Sequence, residues 1–165
     1  AGCVQSIEAL RVFKSLGIRP KRSIRAVLFM NEENGLRGAL EYARVADSLE
    51  VKHIGAIESD RGGFSPRGFY LDAPETSLEK VKSWKPLLLP YGLYDIERGG
   101  SGADIYPLKK GQENVVLAGL IPDSQRYFDF HHANTDRFEN VHKRELELGA
   151  ASMAALLYLM SQYGF

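Results

Sequence analysis

Apolar positions recur along the chain in two alternating rhythms. Val4, Ile7, Leu10 and Phe13, flanked by Cys3 and Leu16, follow at three- and four-residue spacing, and Gly17 with Pro20 marks the end of the helix this predicts. A mostly apolar run of strand length, "SIRAVLFMN" (23–31), comes next. The helical rhythm returns over about 35–49, with Leu36, Leu40, Ala43 and Ala46 on one stripe, and "VKHIGAIESD" (51–60) supplies a second strand. "RGGFSPRGFYLDAPE" (61–75) is rich in Gly and Pro and reads as loops around a short strand, while "TSLEKVKSWKPLL" (76–88) reads as a third helix. "ENVVLAGLIP" (113–122) is a further strand, "YFDFHHANTD" (127–136) opens as an aromatic-rich extended stretch, and a long helix runs from about 143 to 162.

Helix and strand in alternation imply an α/β fold with right-handed crossovers. The expected architecture is a three-layer αβα arrangement around a largely parallel or mixed central sheet, with residues 1–165 forming a single domain. Length and composition agree: 165 residues, 44% hydrophobic and 25% charged, suffice for one buried core. With 21 basic and 21 acidic side chains the chain carries no net field to hold a polyanion, so no nucleic-acid partner is expected. The most apolar stretch, "LGAASMAALLYLM" (148–160), falls short of the roughly 20 residues that cross a bilayer. It is expected to be a buried helix rather than a membrane span. The single cysteine, Cys3, is read as a small buried apolar residue of the first helix. No signal-peptide pattern is expected within the chain itself, which begins "AGCVQSIEAL" without a Met.

Candidate chemistry gathers where strands end, which is where ligands bind in open α/β sheets. Glu32 and Glu33 follow the first strand, and "ESD", with Glu58 and Asp60, closes the second. The pair Glu32–Glu33 has two readings: one of them caps the following helix and favours its dipole, or both serve a site after the "NEENG" turn has left the strand. His131 and His132 add imidazoles downstream. Carboxylates and imidazoles together form the mixed oxygen and nitrogen donor set that suits zinc in a catalytic site.

Three stretches in order carry a family resemblance. "VLFMNEENGLRGALEYA" resembles the Glu-Glu motif of the M28 family of zinc peptidases, "IESDRGGF" its Asp motif and "FHHANTD" its terminal His motif. The likeness covers essentially the whole chain and is nearest to the carboxypeptidase Q branch, through "SIEALRVFKSLGIRPKRSIRAVLF" and "SGADIYPL" as well. The resemblance implies an exopeptidase of aminopeptidase or dipeptidase type acting on short peptides, periplasmic or secreted, with two zinc ions in its complete site. It makes Glu32 the general base and Glu33, Asp60 and His132 metal ligands. His132 is preferred to His131 because it stands four positions before Asp136, as the family ligand stands before an acid; His131 then shapes the pocket. Asp104 matches a recurrent acidic position beside the substrate, with an exposed capping Asp as the alternative.

The resemblance also marks a departure. Family members carry a further His and a metal-bridging Asp upstream of the first helix, and neither is present in this chain; His53 and His142 are poor substitutes. One zinc ion or none is therefore expected here, together with self-association through an exposed sheet edge and weak or absent activity. The competing expectation is a non-catalytic, peptidase-like module with a structural or association role.

Overall fold

In the computed structural model, which describes every residue from Ala1 to Phe165, the predicted helical rhythms become helices α1 (Gly2–Ser15), α2 (Arg37–Ser48) and α6 (Lys143–Tyr163). Between them lie β1 (Gly55–Glu58), β2 (Pro66–Asp72), α3 (Glu75–Ser83), α4 (Lys85–Leu88), β3 (Asp95–Arg98), β4 (Val116–Pro122) and α5 (Ser124–Phe130). Trp84 breaks the third predicted helix into α3 and α4, because Pro86 cannot donate the backbone bond that would continue it.

The four strands form one mixed sheet in the order β1-β4-β2-β3. β1 runs parallel to β4, β2 parallel to β3, and β2 antiparallel to β4. All seven residues of β4 are buried, the mark of a strand covered on both faces. Its side chains alternate between two cores. Val116, Ala118 and Leu120 join Phe69, Leu71, Met153 and Leu156 beneath α1 and α6, while Leu117 joins Ile105, Leu108 and Val115 on the face covered by Phe29, Tyr42 and Ala43. That alternation is the three-layer αβα arrangement.

α1 buries Gln5, Ala9 and Phe13, four residues apart, and leaves Val4 and Ile7 exposed. The buried stripe thus lies one position round from the apolar one. Cys3 is exposed on the same outer side, contrary to its expected burial.

The run 23–31 does not form the expected strand. A strand exists only through its ladder, and no backbone–backbone hydrogen bond involves residues 19–29. β1 spends one edge on β4; its other edge faces a groove of about 600 Å³ whose far wall is this extended run. Ile24, Val27 and Phe29 line one side of it, and Ile54, Ile57 and Met160 the other. Backbone amides of Ile24–Phe29 are expected to exchange with solvent at least about a hundredfold faster than those of Val116–Leu120, since only the latter sit in a buried ladder. Amide exchange followed by NMR checks this, and equal protection would mean that 23–31 has found a strand partner.

Candidate active site

The segment after Met30 turns sharply before α2 begins. Asn31 and Leu36 take left-handed backbone angles, φ 66° and 57°, and Glu32–Gly35 form the turn between them, closed by Gly35 and Leu36 N–H bonds to the Glu32 carbonyl. Gly38 donates to the Met30 carbonyl at 3.0 Å, and a Cβ at Gly38 would lie 2.7 Å from that oxygen. The turn closes only because Gly38 has no side chain. Neither glutamate caps α2: its N-cap is Leu36, with no side-chain capping bond and no acid in the first turn. The capping reading of Glu32 and Glu33 is therefore excluded, and both side chains are left free to face the cleft.

Asp60 is placed by the end of β1. Ser59 donates its hydroxyl to Gln5, a fully buried side chain of α1 that in turn donates to the Leu146 carbonyl of α6. Gly2 lies so near the Ser59 carbonyl that a Cβ there would stand 1.9 Å from the oxygen. Two helices thus grip the residue before Asp60.

Asp104 is carried over the strand ends by the loop 99–105. That loop presses on Gly119 of β4, where a Cβ would meet the Ser101 carbonyl at 2.3 Å, and on Glu58, whose Oε2 accepts the Ile105 N–H at 2.9 Å. Gly102, at φ 145°, crosses the Glu58 carboxyl so closely that a Cβ would lie 2.2 Å from its carbon. Burial pushes Glu58 up to about 7, against the pull of that Ile105 bond.

The histidines follow α5. The sequence suggests an extended stretch there, whereas Ser124–Phe130 is helical, because Tyr127 and His131 stand four residues apart and stack, ring centroids 4.7 Å apart, while the His131 N–H donates to the Tyr127 carbonyl at 2.8 Å. His132, at φ 53°, turns out of the helix and stacks on His131 at 4.0 Å.

These elements meet. One cleft of about 580 Å³ is lined by Glu32, Glu33, Asp60, Asp104, His131 and His132, with Asp136 at its margin. Glu33 Oε1 and His132 Nε2 are 3.1 Å apart across 99 residues of sequence, on side chains 70% and 64% exposed. Asp60 shares the cleft, held above the usual carboxylate range first by burial and then by the Glu33 charge, with Arg61 and His131 opposing. Asp104 is raised likewise, by burial and then by Glu32 and Asp60; it is half-buried, with one carboxylate oxygen unpartnered, rather than an exposed cap. Glu58, one of the strand-end acids, is the floor of the Asp104 loop, and one residue that the sequence pattern does not single out, Tyr127, belongs here too, its signal being the four-residue spacing from His131. His53 lies away from the cleft, bonded to Tyr42 at 2.9 Å, and His142 is the exposed N-cap of α6.

Carboxylates repelling one another around an imidazole suit a divalent cation chemically. Enclosure is incomplete, since no three of these side chains lie close enough to hold a metal ion together. The cleft thus offers one pair of donors in contact, with Asp60 in the same lining.

Known proteins resemble this chain in sequence and in fold. Residues 1–157 match Peptidase family M28. Carboxypeptidase Q of Bos taurus is 31% identical over 160 residues, and that of Homo sapiens 32% over 161; each alignment takes in 97% of this chain and 34% of the relative. The chain therefore spans about a third of the length of these relatives. Among solved structures, a peptidase M28 precursor from Shewanella amazonensis superposes with a TM-score of 0.87 at 27% identity, over 99% of this chain and 37% of that one.

Gly102→Ala is expected to destabilise the fold by about 1–3 kcal/mol, because it places a side chain both at a positive φ that L-residues disfavour and on the Glu58 carboxyl. Urea unfolding reads the cost. Exchange at the Ile105 amide should rise in the same variant, and an unchanged Ile105 would show that Glu58 does not hold the loop.

Proposed function

Because the chain belongs to peptidase family M28, we propose that it forms the C-terminal part of the catalytic domain of a zinc-dependent exopeptidase, of aminopeptidase or dipeptidase type, acting on short peptides. The observation that carries the reading is the Glu33–His132 pair, joined at 3.1 Å from opposite ends of the chain inside a cleft that also presents Glu32 and Asp60. Surface pairs this exposed contribute little to stability, so structural need alone does not account for the contact.

Glu33 and His132 would hold one metal position and Asp60 would serve another. Zinc bound there would supply Lewis acidity to the scissile carbonyl and to the attacking water. Glu32, from the same turn as Glu33, takes a proton from that water and returns it to the leaving amine. Asp104 and His131 bound the substrate side of the cleft. Asp104 is fixed by the Glu58-anchored loop, and His131 by its stack on Tyr127.

Relatives extend over about three times this length, and the groove beside β1 leaves a sheet edge without a partner. This chain alone is accordingly proposed to bind one zinc weakly or none, and to associate with itself through that edge. A periplasmic or secreted setting goes with the family reading; no helix is long and apolar enough to cross a membrane. A second reading, a non-catalytic module of the same fold, is favoured by one observation: no three donors enclose a metal.

Zinc content and dipeptide hydrolysis, measured on the 165-residue chain and on the longest product of its gene, separate the two. The longer product is expected to hold zinc and turn over dipeptides while the 165-residue chain does neither. Inactivity and absence of zinc in both would favour the non-catalytic module. In an active longer product, Glu32→Gln should keep its zinc and lower kcat by roughly 10²–10⁴-fold; retained turnover would assign the base elsewhere.

A further inference from the structure

α5 carries both histidines yet cannot hold itself in place. It has seven residues, none of them buried, and a helix that short is not stable on its own. Arg126 is its most fully engaged side chain, beside an ion pair from Asp123 at its start to Arg67 of β2 at 3.5 Å. Arg126 Nη1 donates to both carboxylate oxygens of Glu145, at 2.8 and 2.9 Å, and the guanidinium lies 4.6 Å from the centre of the Phe64 ring. Glu145 Oε1 also accepts the Ser65 hydroxyl at 2.8 Å. Phe64 in turn meets Phe130, at the far end of α5, with ring centroids 5.4 Å apart, and the Ser65 carbonyl accepts the Asp123 N–H at 2.8 Å.

We propose that Arg126 and Glu145 are positioning residues, a clamp that fixes the His131–His132 turn against the loop bearing Asp60. Glu145 is the anchored end: it stands in the first turn of α6, whose later turns bury Met153, Leu156 and Met160 in the main core. Arg126 is the moving end, on α5. Phe64 and Ser65 link the pair to the loop that starts at Asp60, so the ion pair, with the Phe64–Phe130 contact, ties α5 to that loop. An acid in the first turn of α6 favours the helix dipole with or without Arg126. The dipole does not explain why both Glu145 oxygens are spent on Arg126 and Ser65, at 18% side-chain exposure. Burial alone would raise the Glu145 carboxyl, and the Ser65 and Arg126 bonds hold it below its ordinary value, so the clamp keeps its charge at neutral pH.

The clamp's effect on metal rests on the zinc-peptidase reading, but its effect on α5 does not, and the test reads the two separately. Amide exchange is measured on the metal-free chain for Arg126→Met, Glu145→Ala, the double variant and Glu145→Gln. Arg126→Met keeps an apolar stem on Phe64, so it serves even where Glu145→Ala disturbs α6. Each of the first two is expected to speed exchange at the His131 amide at least about tenfold while Val116–Leu120 stay unchanged. The double variant should be no faster than either single one, because partners in one contact do not add. Glu145→Gln, which still offers an acceptor to Ser65 and Arg126, should recover part of the protection. In the zinc-binding longer product, Arg126→Met should also weaken zinc about 10–100-fold, as losses behind a ligand do. Unchanged His131 exchange, additive effects in the double variant, or zinc affinity indifferent to Arg126 would each overturn the proposal. If the longer product binds no zinc while His131 responds as expected, the clamp stands and the metallopeptidase reading falls.

Discussion

Burial of β4 on both faces is the constraint on which the remaining structure depends. Seven consecutive residues, Val116–Pro122, are removed from water between α6 on one side and the Tyr42 and Ile105 cluster on the other, and no other strand is so fully enclosed. Because β1 is registered parallel to it, from Gly55 opposite Val116 to Glu58 opposite Gly119, the two strands finish at the same end of the sheet. Asp60 follows one finish and α5, with its histidines, follows the other. Gly119 has a further part: lacking a side chain, it lets the loop 99–105 lie directly on β4 and bring Asp104 over that end.

Five carboxyl groups crowd there: Glu32, Glu33, Glu58, Asp60 and Asp104. Of these, Glu58, Asp60 and Asp104 are held above their ordinary values, in each case first by burial and then by one another or by the Glu32–Glu33 pair. A fold that stores like charge in this way gives up stability to do so, and it keeps the cluster in place with glycine-dependent close approaches at Gly2, Gly102 and Gly119. The arrangement has a simple rationale if a cation is to be received, which is the rationale of the zinc-peptidase function proposed above.

Much of this was legible in the sequence, and the exceptions share a cause. Helices α2 and α6, strands β1 and β4 and the acids at the strand ends announce themselves by local spacing and by short ordered motifs. The run 23–31 has as good a strand composition as β4, but a strand needs partners that spacing cannot supply, and this one has none. β3 was passed over for the opposite reason: in "DIER" only Ile96 is buried, so an edge strand hid behind its charges. Aromatic residues around 127–130 suggested extended chain, yet the Tyr127–His131 stack at helical spacing decided otherwise. For Glu32 and Glu33 the sequence leaves capping and a site both open, and Leu36 at the N-cap position excludes the first.

Glu33 and His132, as one proposed metal position of a peptidase site, can be seen directly by diffraction from crystals of the longest gene product, grown with zinc and recorded on both sides of the zinc absorption edge. An anomalous peak bonded to a Glu33 oxygen and a His132 nitrogen at about 2.0–2.2 Å is expected. A peak bonded to neither residue, or no peak in protein that hydrolyses dipeptides, would contradict it.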